Sequence, residues 1–168
     1  VPAGLDGSGQ TIVLVDAYGS PTIKADLAAF DAENGLPDPS FKIIGPNGSG
    51  KQKDPDVQGW QVETSLDVEW AHAIAPGAAI VLVVSRNDNA HAITDAEADV
   101  VSKYPGAIIS QSFGTDETFV RKGFVDDRSA HRVYAAAAAL GDTVLASTGD
   151  YGVSGYGDAS QVAWYPAS

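Results

Sequence analysis

Glu63 and Asp67 stand four residues apart in Glu63-Thr64-Ser65-Leu66-Asp67. On a helix that spacing puts both side chains on one face, a turn apart. Each carboxyl then raises the apparent pKa of the other, so one of the two holds a proton in acid and can serve as general acid or base. The same spacing also describes a solvated acidic face that does no chemistry, and the residues alone leave both readings open. A third acid, Asp150, lies in Ser147-Thr148-Gly149-Asp150-Tyr151-Gly152, just after an apolar run. In its neutral form a carboxyl there can donate a hydrogen bond to a developing oxyanion. An Asp in a glycine-rich turn is equally an ordinary structural residue. Ser112-Phe113-Gly114 closes another apolar run and offers either an edge on which an extended peptide can pair or a plain strand exit.

Gly45-Pro46-Asn47-Gly48-Ser49-Gly50-Lys51 has the glycines and lysine of a phosphate-binding loop. Gln52 stands where Ser or Thr would hold magnesium, and Lys53-Asp54-Pro55 is expected not to open a helix properly. A glycine-rich surface loop is therefore the reading taken, with nucleotide binding by Gly45 to Lys51 as an alternative. His72, His91 and His131 fall on different segments without ligand spacing, which makes them surface or packing residues.

The elements that must position these groups follow from the apolar pattern. Thr11 to Val15, Phe41 to Ile44, Ala79 to Val84, Ala107 to Ser110 and Thr143 to Ser147 are short β-branched runs that read as buried strands. Between them lie helical stretches. One has Leu27 and Phe30 and is stopped by Gly35; one presents Leu66, Trp70, Ala73 and Ile74 on a face and is closed by Pro76-Gly77. A third runs from His91 to Tyr104 with Ile93, Ala96, Val100 and Tyr104 inward, and a fourth from Arg128 to Leu140. Strand and helix in alternation imply an α/β fold, a parallel sheet with helices on both faces and its active site at the carboxyl ends of the strands.

At 168 residues the chain has the size of one domain. Its 10 Lys and Arg against 22 Asp and Glu give a formal net charge of -12, a surface that repels nucleic acid and anionic membranes. That self-repulsion relaxes as pH falls toward the carboxylate range. There is no cysteine, which excludes disulfides, thiolate catalysis and cysteine zinc sites. The run Ala78 to Val84 is too short to cross a bilayer. The absence of Met at position 1 makes Val1 an expected processed terminus.

Together, Gly9 to Gly19, Asp26 to Pro37, Glu63 to Asp67 with Ala75-Pro76-Gly77-Ala78, Ser112-Phe113-Gly114 and Ser147 to Gly152 resemble the sedolisins, serine-carboxyl peptidases with a subtilisin-like fold. The resemblance runs through the whole chain in order. It implies that residues 1–168 are the N-terminal portion of a single catalytic domain, with a sheet that is incomplete. It further implies that Glu63 is the general base, Asp67 the acid that supports it and Asp150 the acid of the oxyanion hole. Asp16 matches no catalytic position of the family, although it sits where a subtilisin carries its triad aspartate. The family's nucleophilic serine, in a Gly-Thr-Ser segment, and its calcium site are expected downstream of this chain. No metal ligand or cofactor is assigned here. The expected protein is a secreted, acid-acting peptidase taking peptide or protein substrates, whose serine comes from a companion chain or a missing C-terminal segment; these residues alone would be inactive. The alternative is a non-catalytic peptide-binding module in which the carboxyl pair and the Ser112 edge hold peptides.

Overall fold

In a computed structural model, the described residues are 4–121, 127–150, 152 and 163–168, so that Val1 and Tyr151 lie outside them. The elements are β1 (Thr11–Ala17), α1 (Ile23–Asn34), β2 (Ser40–Ile44), α2 (Pro55–Ile74), β3 (Ala79–Ser85), α3 (Ala90–Val101), β4 (Ile108–Gln111), β5 (Thr115–Asp116), α4 (Glu117–Arg121), α5 (Asp127–Ala139), β6 (Thr143–Ala146) and β7 (Trp164–Tyr165). Five strands form one sheet in the order β2-β3-β1-β4-β6, every neighbouring pair parallel. A small antiparallel pair, β5 with β7, lies apart from it.

Because side chains alternate along a strand, β1 feeds two cores. Val13 and Val15 join Val81, Val83, Ile93, Val100, Ile109 and Ala137 on the face covered by α3 and α5. Leu14 joins Ile23, Leu27, Val68, Ile80 and Leu82 on the face covered by α1 and α2. The same parity sends Asp16, two residues beyond Leu14, toward α2. Gly35 caps α1 in the left-handed conformation at φ 65°, where a residue without Cβ is favoured.

Two helices differ from the sequence expectation. Lys53-Asp54-Pro55 does open α2. The Asp54 carboxylate accepts from the Asp56 N–H at 3.1 Å, and Pro55 enters at the first turn, where its missing N–H has no helical partner to lose. The stripe Leu66, Trp70 and Ile74 is not the core face: all three are exposed, Trp70 by 59%, and α2 instead buries Val57, Thr64, Val68 and His72. Leu66, Trp70, Ile12, Ile108 and Leu145 line an open apolar groove of about 520 Å³ on the α2 side of β4 and β6. On α3, Glu97 takes a buried place among Ile93, Val100 and Val101, and the helix ends at Val101 before Tyr104.

Candidate active site

The chain leaves β1 for β2 and β3 on one side of the sheet and returns through β4 and β6 on the other, so β1 and β4 flank the topological switch point. Crevices at such points lie outside the carboxyl ends of the strands. Asp16 sits near that end of β1 and Ser112 directly follows β4. Helix α2 crosses the same end and presents Glu63 and Asp67 there.

The Ser112 hydroxyl donates to Asp67 Oδ1 at 2.9 Å. It is also close enough to Glu63 to favour the charged form of that carboxyl. Burial dominates at Asp67 and, with a smaller push from Glu63, holds its pKa at about 6 despite the opposing Ser112 bond. Its other oxygen, Oδ2, is buried without a hydrogen-bond partner among the described residues. Glu63 is raised chiefly by partial burial, with the Asp150 charge adding to it and Ser112 opposing it.

Beneath the pair lies Asp16, which is 0% exposed. Neither oxygen has a hydrogen bond of normal geometry, and only a loose contact with Thr64 offsets its desolvation. Burial, then Asp67, then Glu63 push it well above the usual carboxylate range. The site is thus a ladder of carboxyls, Asp16 inside, Asp67 half-buried and Glu63 toward solvent. Crowding of these carboxyls opposes their ionising together.

Asp150 is exposed at the lip, near enough for its charge to act on Glu63. Its loop is fixed by Gly149, at φ 82°, where a Cβ would stand 2.7 Å from the buried Trp164 indole. The loops after β4 and β6 are tied together, with Ser147 N–H donating to Gln111 O at 3.0 Å and the Ser147 hydroxyl reaching Phe113 O at 3.5 Å. Phe113 turns to the opposite side and packs against the α3 and α5 core, while Gly114 backs onto Trp164 and Tyr165. Glu63, Asp67, Ser112 and Asp150 therefore meet at one site, whereas Phe113 and Gly114 are turned away from it.

The Gly45 to Lys51 loop lies elsewhere and has its amides engaged. Gly48 and Ser49 N–H both donate to Tyr18 O, at 2.8 and 3.0 Å, and Asn47 N–H donates to Gly45 O at 3.0 Å. Those amides are not turned outward as a phosphate cradle requires. Gln52, Lys53 and Asp54 also separate the loop from α2. Among the described residues no group of three or more His, Asp or Glu could hold a metal ion, and no helix is long and apolar enough to cross a membrane.

Searched against family models, the chain matches none. It is 36% identical over 154 residues to kumamolisin from Bacillus sp. (strain MN-32), a match covering 90% of this chain and 27% of that protein. The structure superposes on Pseudomonas sedolisin, a serine-carboxyl proteinase solved with two molecules of pseudo-iodotyrostatin, with TM-score 0.80 and 25% identity. The chain belongs to the sedolisin family. Its α/β sheet is the subtilisin-like sheet of that family, and the match covers 98% of this chain and 48% of the sedolisin chain. The chain thus spans about a quarter of one relative and about half of the other.

Asp16 was not singled out as a site residue from the sequence. The signal that would have found it is strand parity, since Ile12, Leu14 and Asp16 share the face under which α2 lies. Glu97 was missed because its place in an apolar helical stripe gives no hint of a polar partner across the core.

Proposed function

We propose that residues 1–168 carry the acid–base half of a secreted serine-carboxyl peptidase that hydrolyses peptide bonds in acid. The nucleophilic serine comes from sequence beyond position 168 or from a companion chain, and the calcium site implied by the family is likewise assigned there. Glu63 takes the proton of the serine hydroxyl as the oxygen attacks the peptide carbonyl, and returns a proton to the leaving amine. Asp67 supports Glu63 from behind, with Asp16 as the buried end of the chain of acids. Asp150, at the lip of the site, supplies the hydrogen bond to the oxyanion. Water then releases the acyl group by the same steps in reverse.

The reading rests above all on the placement of Ser112 between Glu63 and Asp67 over a fully buried Asp16, at the switch point of the sheet. A surface acidic stripe has no reason to be buried, stacked and tied to a strand exit. Without a nucleophile the remaining groups accelerate little, so the isolated 168 residues are expected to be inactive. The test is peptide hydrolysis by the full-length protein at acidic pH, with Glu63→Gln beside the wild type. The expected loss is about 10²–10⁴-fold in kcat. Full activity in Glu63→Gln would discard the mechanism, and peptide binding without any cleavage would make this a binding module instead.

A further inference from the structure

Glu97 is a buried acid that the proposed chemistry does not use. It projects from α3 into the core on the face of the sheet opposite the carboxyl ladder and is 2% exposed. Gln111 Nε2 donates to Glu97 Oε1 and also to the Tyr134 hydroxyl, the latter at 3.3 Å. Gln111 is the last residue of β4, so its backbone runs directly into Ser112. Because side chains alternate, Gln111 is held from the α3 and α5 side while Ser112 reaches Asp67 on the α2 side. Its carbonyl also accepts the Ser147 N–H at 3.0 Å, which ties in the exit of β6.

Where Glu97 stands, its surroundings do little for a negative charge. Val101, Ile109, Val133, Ala137 and Val144 close the space behind it. Tyr134 of α5 is the titratable group beside it, with Tyr165 of β7 acting on Tyr134 in turn. Among the described residues no base stands within ion-pair distance of it. Burial raises Glu97 to about 7, outweighing the Gln111 bond that favours the carboxylate. On its other side lies a cavity of about 430 Å³ between α3, the Phe113 turn and α5, which Glu97 lines together with Asn89, His91, Thr94 and Thr115. That space has room for water and polar groups to bond it. Asp88 also lines it, engaged by the Tyr18 hydroxyl at 3.2 Å.

We infer that Glu97 is a proton-gated latch on the strand exit: as a neutral acid it holds Gln111 and keeps Ser112 against Asp67, and as a carboxylate it turns into the cavity and frees the exit. Its proton goes to solvent. Hydration in the cavity relieves the desolvation of the charge, which costs more than the single bond to a neutral amide returns. Glu97 touches neither Ser112 nor the carboxyl ladder, so its part is positioning. The consequence for activity rests on the peptidase reading: the exit loosens toward neutral pH by a route separate from the titration of Glu63 and Asp67. The latch itself does not depend on that reading.

The test compares the full-length protein with Glu97→Gln, which keeps a polar partner for Gln111 and cannot ionise. Amide hydrogen exchange is measured at pH 5 and pH 8 with the intrinsic rates divided out. In the wild type, protection of residues 108–114 and 143–147 should fall between the two while β2 and β3 stay protected, and in Glu97→Gln the fall should be absent. Asp16, Glu63 and Asp67 titrate on the other face in both proteins, so the difference isolates Glu97. The ratio of kcat/KM for peptide hydrolysis, variant over wild type, should rise roughly tenfold from pH 5 to pH 8, the excess of carboxylate over acid one unit above a pKa of about 7. Exit protection that holds at pH 8 in the wild type, or that falls together with β2 and β3, overturns the latch, and the wild type alone decides this should the variant not fold. An equal fall in Glu97→Gln, or a flat kcat/KM ratio, overturns it as well, and cleavage in acid then keeps the peptidase reading. Local loosening as expected, in a protein that cuts no peptide, overturns the peptidase reading and keeps the latch.

Discussion

Ser112 was read from the sequence as part of an edge for substrate, and the structure gives its hydroxyl a more specific occupation at Asp67. A hydroxyl that donates to a carboxylate favours the charged form, so this bond is what restrains Asp67 from rising above about 6. Removing the donor in Ser112→Ala is expected to raise the apparent pKa of Asp67. Glu63→Gln removes a neighbouring negative charge and is expected to lower it. Carboxyl carbon NMR across an acid titration reads both shifts, and movement of the two variants in the same direction would contradict the arrangement. Legibility at this scale was partial. The helical spacing of Glu63 and Asp67 was visible, because four residues make one turn, but no local pattern tells how deep a turn lies. Asp16 shows the limit: its role depends on which helix crosses above β1, a tertiary fact.

At the scale of elements, the strands were legible because both faces of a parallel sheet are covered, which leaves continuous apolar runs such as Ile80 to Val84. Helix α2 was harder. Its start is obscured by Lys53-Asp54-Pro55, because proline breaks a helix interior yet fits the first turn behind an Asp cap. Asp54→Ala is accordingly expected to destabilise the protein by about 0.5–2 kcal/mol, while Pro55→Ala changes stability less. Urea denaturation with unchanged m-values checks both, and an Asp54→Ala cost near zero would mean that the cap contributes nothing. The stripe Leu66, Trp70 and Ile74 was misassigned for a related reason. Periodicity reports that a face is apolar, not which surface receives it, and the buried face of α2 is carried partly by Thr64 and His72. His72 is held there by Pro37 O at 2.8 Å and Asp31 at 3.4 Å.

For the molecule as a whole, the strand order could be narrowed by handedness and connection rules, but the groove along Leu66, Trp70 and Leu145 could not be placed before the sheet was assembled. With that face open, the isolated 168-residue chain is expected to self-associate, and Trp70→Glu to reduce its sedimentation coefficient toward that of a monomer; an unchanged, monomeric wild type would contradict this. The ladder of raised carboxyls sets a pH dependence of stability that opposes the usual acid sensitivity. Asp67 titrates at about 6 and Glu97 at about 7 in the folded chain, with Asp16 and Glu63 also raised, whereas unfolded carboxyls titrate near 4. In the window between, the folded state binds more protons than the unfolded state, so stability falls as pH rises. The contribution is fully present below the unfolded value and lost once pH has passed the folded ones. The net charge of -12 adds self-repulsion of the same sign. Melting temperature should therefore drop between pH 5 and pH 8. Glu97→Gln, which cannot ionise and keeps a polar partner for Gln111, should raise the melting temperature at pH 8 more than at pH 5 and so flatten the slope. An identical slope in the variant would show that Glu97 does not carry its share, and a rise in melting temperature from pH 5 to pH 8 would mean that the ladder is solvated in the folded protein.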